Sequence, residues 1–459
     1  MPPEVSSPAV KPASTSRLRR LLGLGFALAV AVGGTLGTGV LSSPNELVKA
    51  APHPGFGLAL WVLGGFYTLL AANTLAELAG RHPQAGGWYG YARAAFGEFP
   101  AVAVAWADWT SSCVTGALVA LLLGDYLSQL ILPFTHSTIS PLLLALAAVL
   151  GLGAVQLRGL REGSWVQEIT AGLLLLGLLA VLGGSAALPA AGAATAAPTL
   201  LSSFTHSPIQ PFTLAALVAG LQIVVFAYDG WYAPIYFAEE TPQPGRTLPW
   251  ALLGGVAVVL AVYLTLHLTL ARVLPPARLA ASSLPLAEVA GALAGPLGRR
   301  LTLAVGVVAL LGVLNSVLLM ATRVLFALGR AGHLPARLAR VHEGGTPRPA
   351  LLLALLVTAG CALSGTVAGL EAVTSILFVS YYVVGFAALF WVRRAAADAT
   401  YTGYRAWAHP ASTGLLVLLS LAFLALNVVL DTRSALVAAA LVAGSYPLWR
   451  WRRGRAGKS

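Results

Sequence analysis

Between Arg246 and Arg272 the chain carries no Lys, Arg, Asp or Glu. A helix needs about 20 predominantly apolar residues to cross the hydrocarbon core of a bilayer. Runs of this kind recur along nearly all of the 459 residues, of which 58% are hydrophobic and only 10% charged. A soluble domain carries roughly 25% charged residues. No stretch is left for a sizeable soluble domain, so the sequence implies an all-α, polytopic membrane protein whose function lies among its helices.

Charge and cysteine usage exclude several other classes. The net charge of +12 is spread between the apolar runs instead of being gathered on one module, so no nucleic-acid partner is expected. Cys113 and Cys361 both lie inside apolar stretches, without CxxC or His spacing, and read as structural thiols. Arg17, Arg19 and Arg20 before "LLGLGFALAVAVGG" imitate a signal peptide, but the apolar run outlasts an h-region and many spans follow. It is therefore read as the first membrane helix.

Apolar windows and their polar interruptions place twelve helices, at about 21–48, 55–80, 98–131, 140–158, 164–188, 212–239, 247–273, 296–330, 348–366, 371–392, 411–430 and 434–451. An even number puts both termini on one side. With the termini in the cytoplasm of a cell (inner) membrane protein, all but six of the 28 Lys and Arg fall inside, in line with the positive-inside rule. The six are Lys49, Arg272, Arg278, Arg299, Arg300 and Arg433. The stretch "LPLAEVAGALAG", in the outer loop before the eighth helix, reads as a short surface helix, and the Ser/Pro-rich residues 1–16 as a disordered tail.

Two stretches interrupt the pattern. "GGTLGTGVLSSP" sets Gly33, Gly34, Gly37 and Gly39 ahead of Pro44, and each glycine weakens a helix by roughly 1 kcal/mol relative to alanine. Taken alone this is a packing motif, with Gly33 and Gly37 at four-residue spacing. "FAYDGWYAP", five helices later, repeats the disruption with Asp229, Gly230 and Pro234 in an apolar run. Unpaired backbone at membrane depth survives only inside protein or along a cavity. Two breaks five spans apart fit inverted repeats around a midplane site, where free N–H groups suit a carboxylate and free C=O groups an ammonium.

These stretches, with "AELAGRHPQAGGWYGYARAAFGEFPAVAVAWADW" at 76–109 and "LNSVLLMATRVLFALGRAGHLP" at 314–335, resemble the amino acid-polyamine-organocation superfamily, near its amino acid permeases and L-type exchangers. The resemblance implies the leucine-transporter fold. A cytoplasmic tail at 1–20 would precede a first repeat at 21–188 and a second, inverted repeat at 212–392. Two further helices at 411–451 and a tail at 452–459 would complete it. It implies alternating-access transport of an amino acid or amine, by net uptake or exchange. Thr35, Leu36, Gly37, Thr38 and Gly39 would hold the substrate carboxylate, Phe226, Ala227 and Asp229 its amino group, and Trp231 would shape the pocket. In many such permeases a lysine in the fifth helix is linked to coupling, whereas here Leu173 stands at that place. Proton, sodium or exchange coupling therefore stays open, and no cofactor is expected.

A charge at the centre of a span costs on the order of 3 kcal/mol, so intramembrane carboxylates are candidates for function. Asp229 lies in the second break. Asp108, between Trp106 and Trp109, is balanced between a pocket residue and a helix-to-helix bond, and Asp125 stands near a helix end. Trp106, Asp108, Asn315 and Tyr381 are candidate pocket or gate residues. Ser111, Ser112, Thr115, Ser316 and Thr322 are hydroxyls among which spacing cannot choose. Glu77, Glu239 and Glu240 read as gate or loop partners, and Glu46 and Lys49 as a pair. The chain holds no GxxxxGKS, HExxH or GxSxG, so neither an ATP-driven pump nor an enzyme is expected. Gly39→Leu is expected to abolish transport by filling the carboxylate site.

Overall fold

The computed structural model describes residues 18–41, 43–50, 54–135, 139–189, 213–282, 284–364, 370–394, 401–447 and 449–450, so the 1–16 and 452–459 tails and the loop 190–212 lie outside the described residues. Regular structure among them is helical throughout. The first half holds α1 Leu24–Leu41, α2 Ser43–Ala50, α3 Pro54–Arg81, α4 Trp88–Phe96, α5 Glu98–Thr135, α6 Pro141–Arg158 and α7 Leu160–Gly184. The second holds α8 Leu214–Tyr228, a 3-10 segment Ala233–Glu240, α9 Pro244–Val273, α10 Pro276–Ala281, α11 Pro285–Arg330, α12 Arg348–Leu363 and α13 Leu370–Arg394. Helices α14 Ala411–Leu430 and α15 Thr432–Ala443 follow.

Among the described residues 9 helices are long and apolar enough to cross a membrane, and two shorter apolar helices, Leu24–Gly37 and Arg348–Leu363, add to them. With α15 these occupy the twelve expected positions, and the chain is a multi-pass membrane protein. Local chemistry sets several ends. Proline stands in the first turn of α6, α9, α11 and α12, where its missing N–H costs nothing. Thr213 caps α8 by accepting the Ala216 N–H at 3.2 Å, and Asp431 caps α15 through the Ser434 N–H at 3.1 Å. Hydrogen bonds from the Ser434 side chain and backbone hold the Asp431 carboxyl below its ordinary range.

Helices α5 and α11 form the centre, α1 wedges between α9 and α11, α7 backs α1 and α11, and α3 lies along α9. Lipid tails are as apolar as leucine, so close packing and hydrogen bonds hold these contacts together, with little hydrophobic driving force. Trp61 of α3 stacks on Tyr263 of α9 with centroids 4.3 Å apart. Gln167 of α7 bonds the Ala29 carbonyl of α1 and accepts from Asn315 of α11 at 3.0 Å, and Asn315 accepts from Gln156 of α6 at 2.9 Å. The exposed tryptophans Trp165, Trp250 and Trp391 stand near helix ends, and Trp407 in the turn before α14, all on the side where α1 begins, as in the aromatic belts of membrane proteins.

The structure departs from the sequence reading in two places and agrees with it at a third. Helix α1 continues through the glycine run to Leu41 and α2 starts at Ser43, so the first interruption falls after Gly39, not among the glycines. The short helix expected at "LPLAEVAGALAG" is present as the leading part of α11, set off from the span that follows by Ala294 and Gly295, where the backbone leaves helical angles. Leu173 points away from the bundle and is 49% exposed, while the face of α7 that meets α1 and α11 carries Gln167, Thr170 and Ala171. A helix turns 100° per residue, so a two-residue offset moves a side chain to the opposite face.

Candidate functional site

The second interruption falls where the sequence placed it. Helix α8 ends at Tyr228, Asp229 is extended, Gly230 adopts φ 101°, and the 3-10 segment resumes at Ala233. Against this break stands a cavity of about 260 Å³, below the roughly 300–1,000 Å³ of drug-sized ligand pockets and suited to a single small metabolite. Its wall joins five elements. Helix α1 gives Gly34, and the break gives Phe226, Asp229 and Gly230. Helix α5 gives Thr115, Leu118, Val119 and Leu122, helix α11 gives Val313, Ser316, Val317 and Met320, and the exposed Glu46 of α2 completes the lining. The sets on α5 and α11 each follow the i, i+3, i+4, i+7 spacing of one helix face.

The wall is apolar except at a few points. The Ser316 Oγ and Thr115 Oγ1 are buried without a hydrogen-bond partner. Buried polar groups are almost always paired, so two orphan hydroxyls on one cavity mark places where a ligand can supply the missing bond. The Asp229 carboxylate accepts hydrogen bonds from the hydroxyls of Tyr382 and, at 3.5 Å, Tyr232. Tyr232 in turn shares a 3.1 Å hydrogen bond with Tyr381. Together these groups can read a charged, hydrogen-bonding solute; no motif for bond chemistry accompanies them.

On the side where the chain begins, the cavity is floored by aromatic rings. Trp88 of α4 packs on Tyr232, Tyr381, Tyr382 and Phe386 at centroid distances of 5.5, 5.6, 5.1 and 5.7 Å. Ion pairs lie beyond them on the same side. Arg323 holds Glu240 with two N–H donors at 3.2 and 2.9 Å, both side chains being buried, and Arg330 holds Glu239 at 2.7 and 2.8 Å. Glu77 accepts from Arg81, Arg393 and the Ala406 N–H, while Asn73 ties α3 to Tyr404 and Trp407. Burial and the nearby Arg81 hold the His82 imidazole below its usual range, which keeps further positive charge from this cluster.

The residues singled out from the sequence divide unevenly over this site. Phe226 and Asp229 line the cavity. The Ala227 carbonyl is taken by the Tyr263 hydroxyl at 2.6 Å, and Trp231 packs on Tyr232 and Tyr382 beneath the wall. On α1 the lining residue is Gly34, immediately before the expected stretch of Thr35 to Gly39. Thr35 donates to the Ala31 carbonyl at 2.7 Å, Leu36 packs in an apolar cluster, Gly37 faces Val313 and Gly39 faces Tyr263 and Ala227. The Thr38 side chain lies outside the described residues. Asp108 accepts from Tyr236 at 2.8 Å, and the Trp106 indole donates to the Leu441 carbonyl at 2.9 Å. Asn315 belongs to the bonds between helices, and Tyr381 to the aromatic floor. Sequence reasoning did not choose Thr115, Ser316 or Glu46, because helix phase relative to neighbouring helices is needed to tell a lining hydroxyl from a packed one.

Known proteins match this chain over most of its length. It is 30% identical to the human large neutral amino acids transporter small subunit 2 over 74% of its own length, spanning 64% of that relative. Identity to the serine/threonine exchanger SteT of Bacillus subtilis is 26%, covering 83% of this chain and 84% of the relative. An uncharacterized transporter of Mycobacterium tuberculosis is 30% identical over 80% of this chain and 79% of its own. The amino acid permease family model matches residues 22–446, the whole helical body from α1 to the end of α15, and the chain belongs to that family.

Proposed function

We propose that this protein is a secondary transporter that moves amino acids across a cell membrane by alternating access, with both termini in the cytoplasm. The observation that carries the reading is the cavity at the break after α8, with two unpartnered hydroxyls and a carboxylate on its wall and an aromatic and ionic floor on one side only. A one-sided closure around a solute-sized cavity is what one end state of alternating access requires. Family membership and relatives named as transporters support it. In this reading the stretches 21–188 and 212–392 act as the two inverted repeats. Exchange is the second reading, favoured by the relative named as an exchanger.

The test is counterflow of labelled amino acids into liposomes holding the purified protein, with and without internal substrate and with imposed proton or sodium gradients. Saturable, competed uptake is expected. Dependence on internal substrate would favour exchange, and absence of uptake for every amino acid tried would sink the transport reading. Ser316→Ala is expected to raise KM about fivefold, the equivalent of a hydrogen bond of about 1 kcal/mol, with no loss of thermal stability.

A further inference from the structure

Asp108 of α5 carries a carboxyl that the cavity does not use. The group is fully buried, with Oδ1 accepting the Tyr236 hydroxyl at 2.8 Å and Oδ2 left without a hydrogen-bond partner. Tyr236 belongs to the 3-10 segment of the floor, while Thr115, further along the same face of α5, lies on the cavity wall. A helix rises 1.5 Å per residue, so Asp108 stands about 10 Å from that wall, at the seam between α5 and the floor.

No cation among the described residues pairs with it. The titratable groups around it are Tyr232 and Tyr236 of the 3-10 segment, Tyr381 of α13, Asp229 of the break and Cys113 of α5 itself. At the floor end of the helices packed on α5, every arginine is engaged elsewhere or exposed. Arg93 pairs with Glu98, Arg323 with Glu240, Arg330 with Glu239 and Arg393 with Glu77, Arg348 donates to the Leu157 carbonyl, and Arg158 and Arg394 are exposed. An ionised carboxylate taken out of water without a counter-charge is so costly that such a group takes up a proton instead.

We propose that Asp108 is a proton-binding site that governs the floor. The acid form is kept while the floor is closed, as here, and the carboxylate forms when the floor parts and water reaches it. This rests on the alternating-access reading and adds a control to it. On opening, the O–H bond at Oδ2 breaks and the proton leaves to cytoplasmic water; on closing, a proton returns to the same oxygen. Because the closed state holds a proton that the open state releases, acid favours closure and alkali favours opening, by up to about tenfold for each pH unit.

Opening can be read at Ala105, fully buried on α5 and one turn nearer the chain start than Asp108. With Cys113 and Cys361 replaced, Ala105→Cys in purified protein should react with a soluble maleimide more slowly as pH falls, by up to about tenfold per unit. The exposed Arg246→Cys serves as the reference that corrects for thiolate formation. Asp108→Asn still offers Tyr236 an acceptor but cannot ionise, so labelling should be slow at every pH and counterflow equally slow and flat. Tyr236→Phe removes the hydrogen bond and leaves the acid, so the pH dependence should persist; its loss would reduce Asp108 to a structural acceptor and overturn the proposal. Parent labelling that does not vary with pH, or that varies equally in Asp108→Asn, also overturns it while leaving transport standing. Should Asp108→Asn not purify, Asp108→Glu decides, since it keeps an acid and should displace the midpoint of the pH dependence; an unmoved midpoint overturns the assignment to Asp108. A thiol at 105 that never reacts shows a floor that does not open, which strikes the alternating-access reading itself.

Discussion

At Gly230 a Cβ would stand 2.6 Å from the Gly34 carbonyl oxygen and 2.9 Å from its carbon, with φ already at 101°. Left-handed backbone costs other residues roughly 1–2 kcal/mol, and here the obstacle is main chain, which cannot swing aside. Gly230→Ala is therefore expected to abolish uptake while the protein still inserts and purifies, as judged by transport and by a folded gel-filtration profile. Gly39 gives a related result for a reason the sequence did not supply. A side chain there would strike the Tyr263 hydroxyl and approach the Ala227 carbonyl oxygen to 2.9 Å. Loss of transport in Gly39→Leu would thus report separation of α1 from α8 and α9. The need for glycine was legible in the sequence, but which neighbour imposes it was not, because the neighbours come from helices far along the chain.

Among the elements, the 3-10 segment after the break is fastened to α11 by Glu240 and Arg323, which are 0% and 1% exposed. Removing one partner of such a pair leaves a buried charge uncompensated, at a cost of about 3–5 kcal/mol. Arg323→Ala should lower the melting temperature in detergent sharply, and the double variant Arg323→Met with Glu240→Leu should melt closer to the parent. A double variant no better than the single one would show that the segment is held mainly by other contacts. The sequence suggested that Glu239 and Glu240 could partner an arginine. Only the packed helices pick Arg330 for the first and Arg323 for the second.

For the whole molecule, the cavity opens past Glu46 on the face opposite the aromatic floor, and the exposed tryptophans and most loop cations share the floor's side. With Cys113 and Cys361 replaced, Glu46→Cys should react with a membrane-impermeant thiol reagent on intact cells, and Arg246→Cys only after lysis. The reverse pattern would overturn the proposed orientation.

The sequence by itself determined that this chain spans a membrane many times, where its helices run, that its sixth span is broken at Asp229, and which family it joins. Those properties follow from hydropathy, charge and backbone chemistry read locally, and bilayer thickness turns them directly into spans. Only the tertiary structure decided that α1 stays helical through its glycines, that Gly34 lines the cavity, and that Leu173 faces outward while Gln167 faces inward. It also chose Thr115 and Ser316 from among many hydroxyls. In a chain of apolar helices nearly every face is greasy, so periodicity cannot say which one turns inward. Rotation about each helix axis is fixed by packing against its neighbours, and that information is spread over the whole chain.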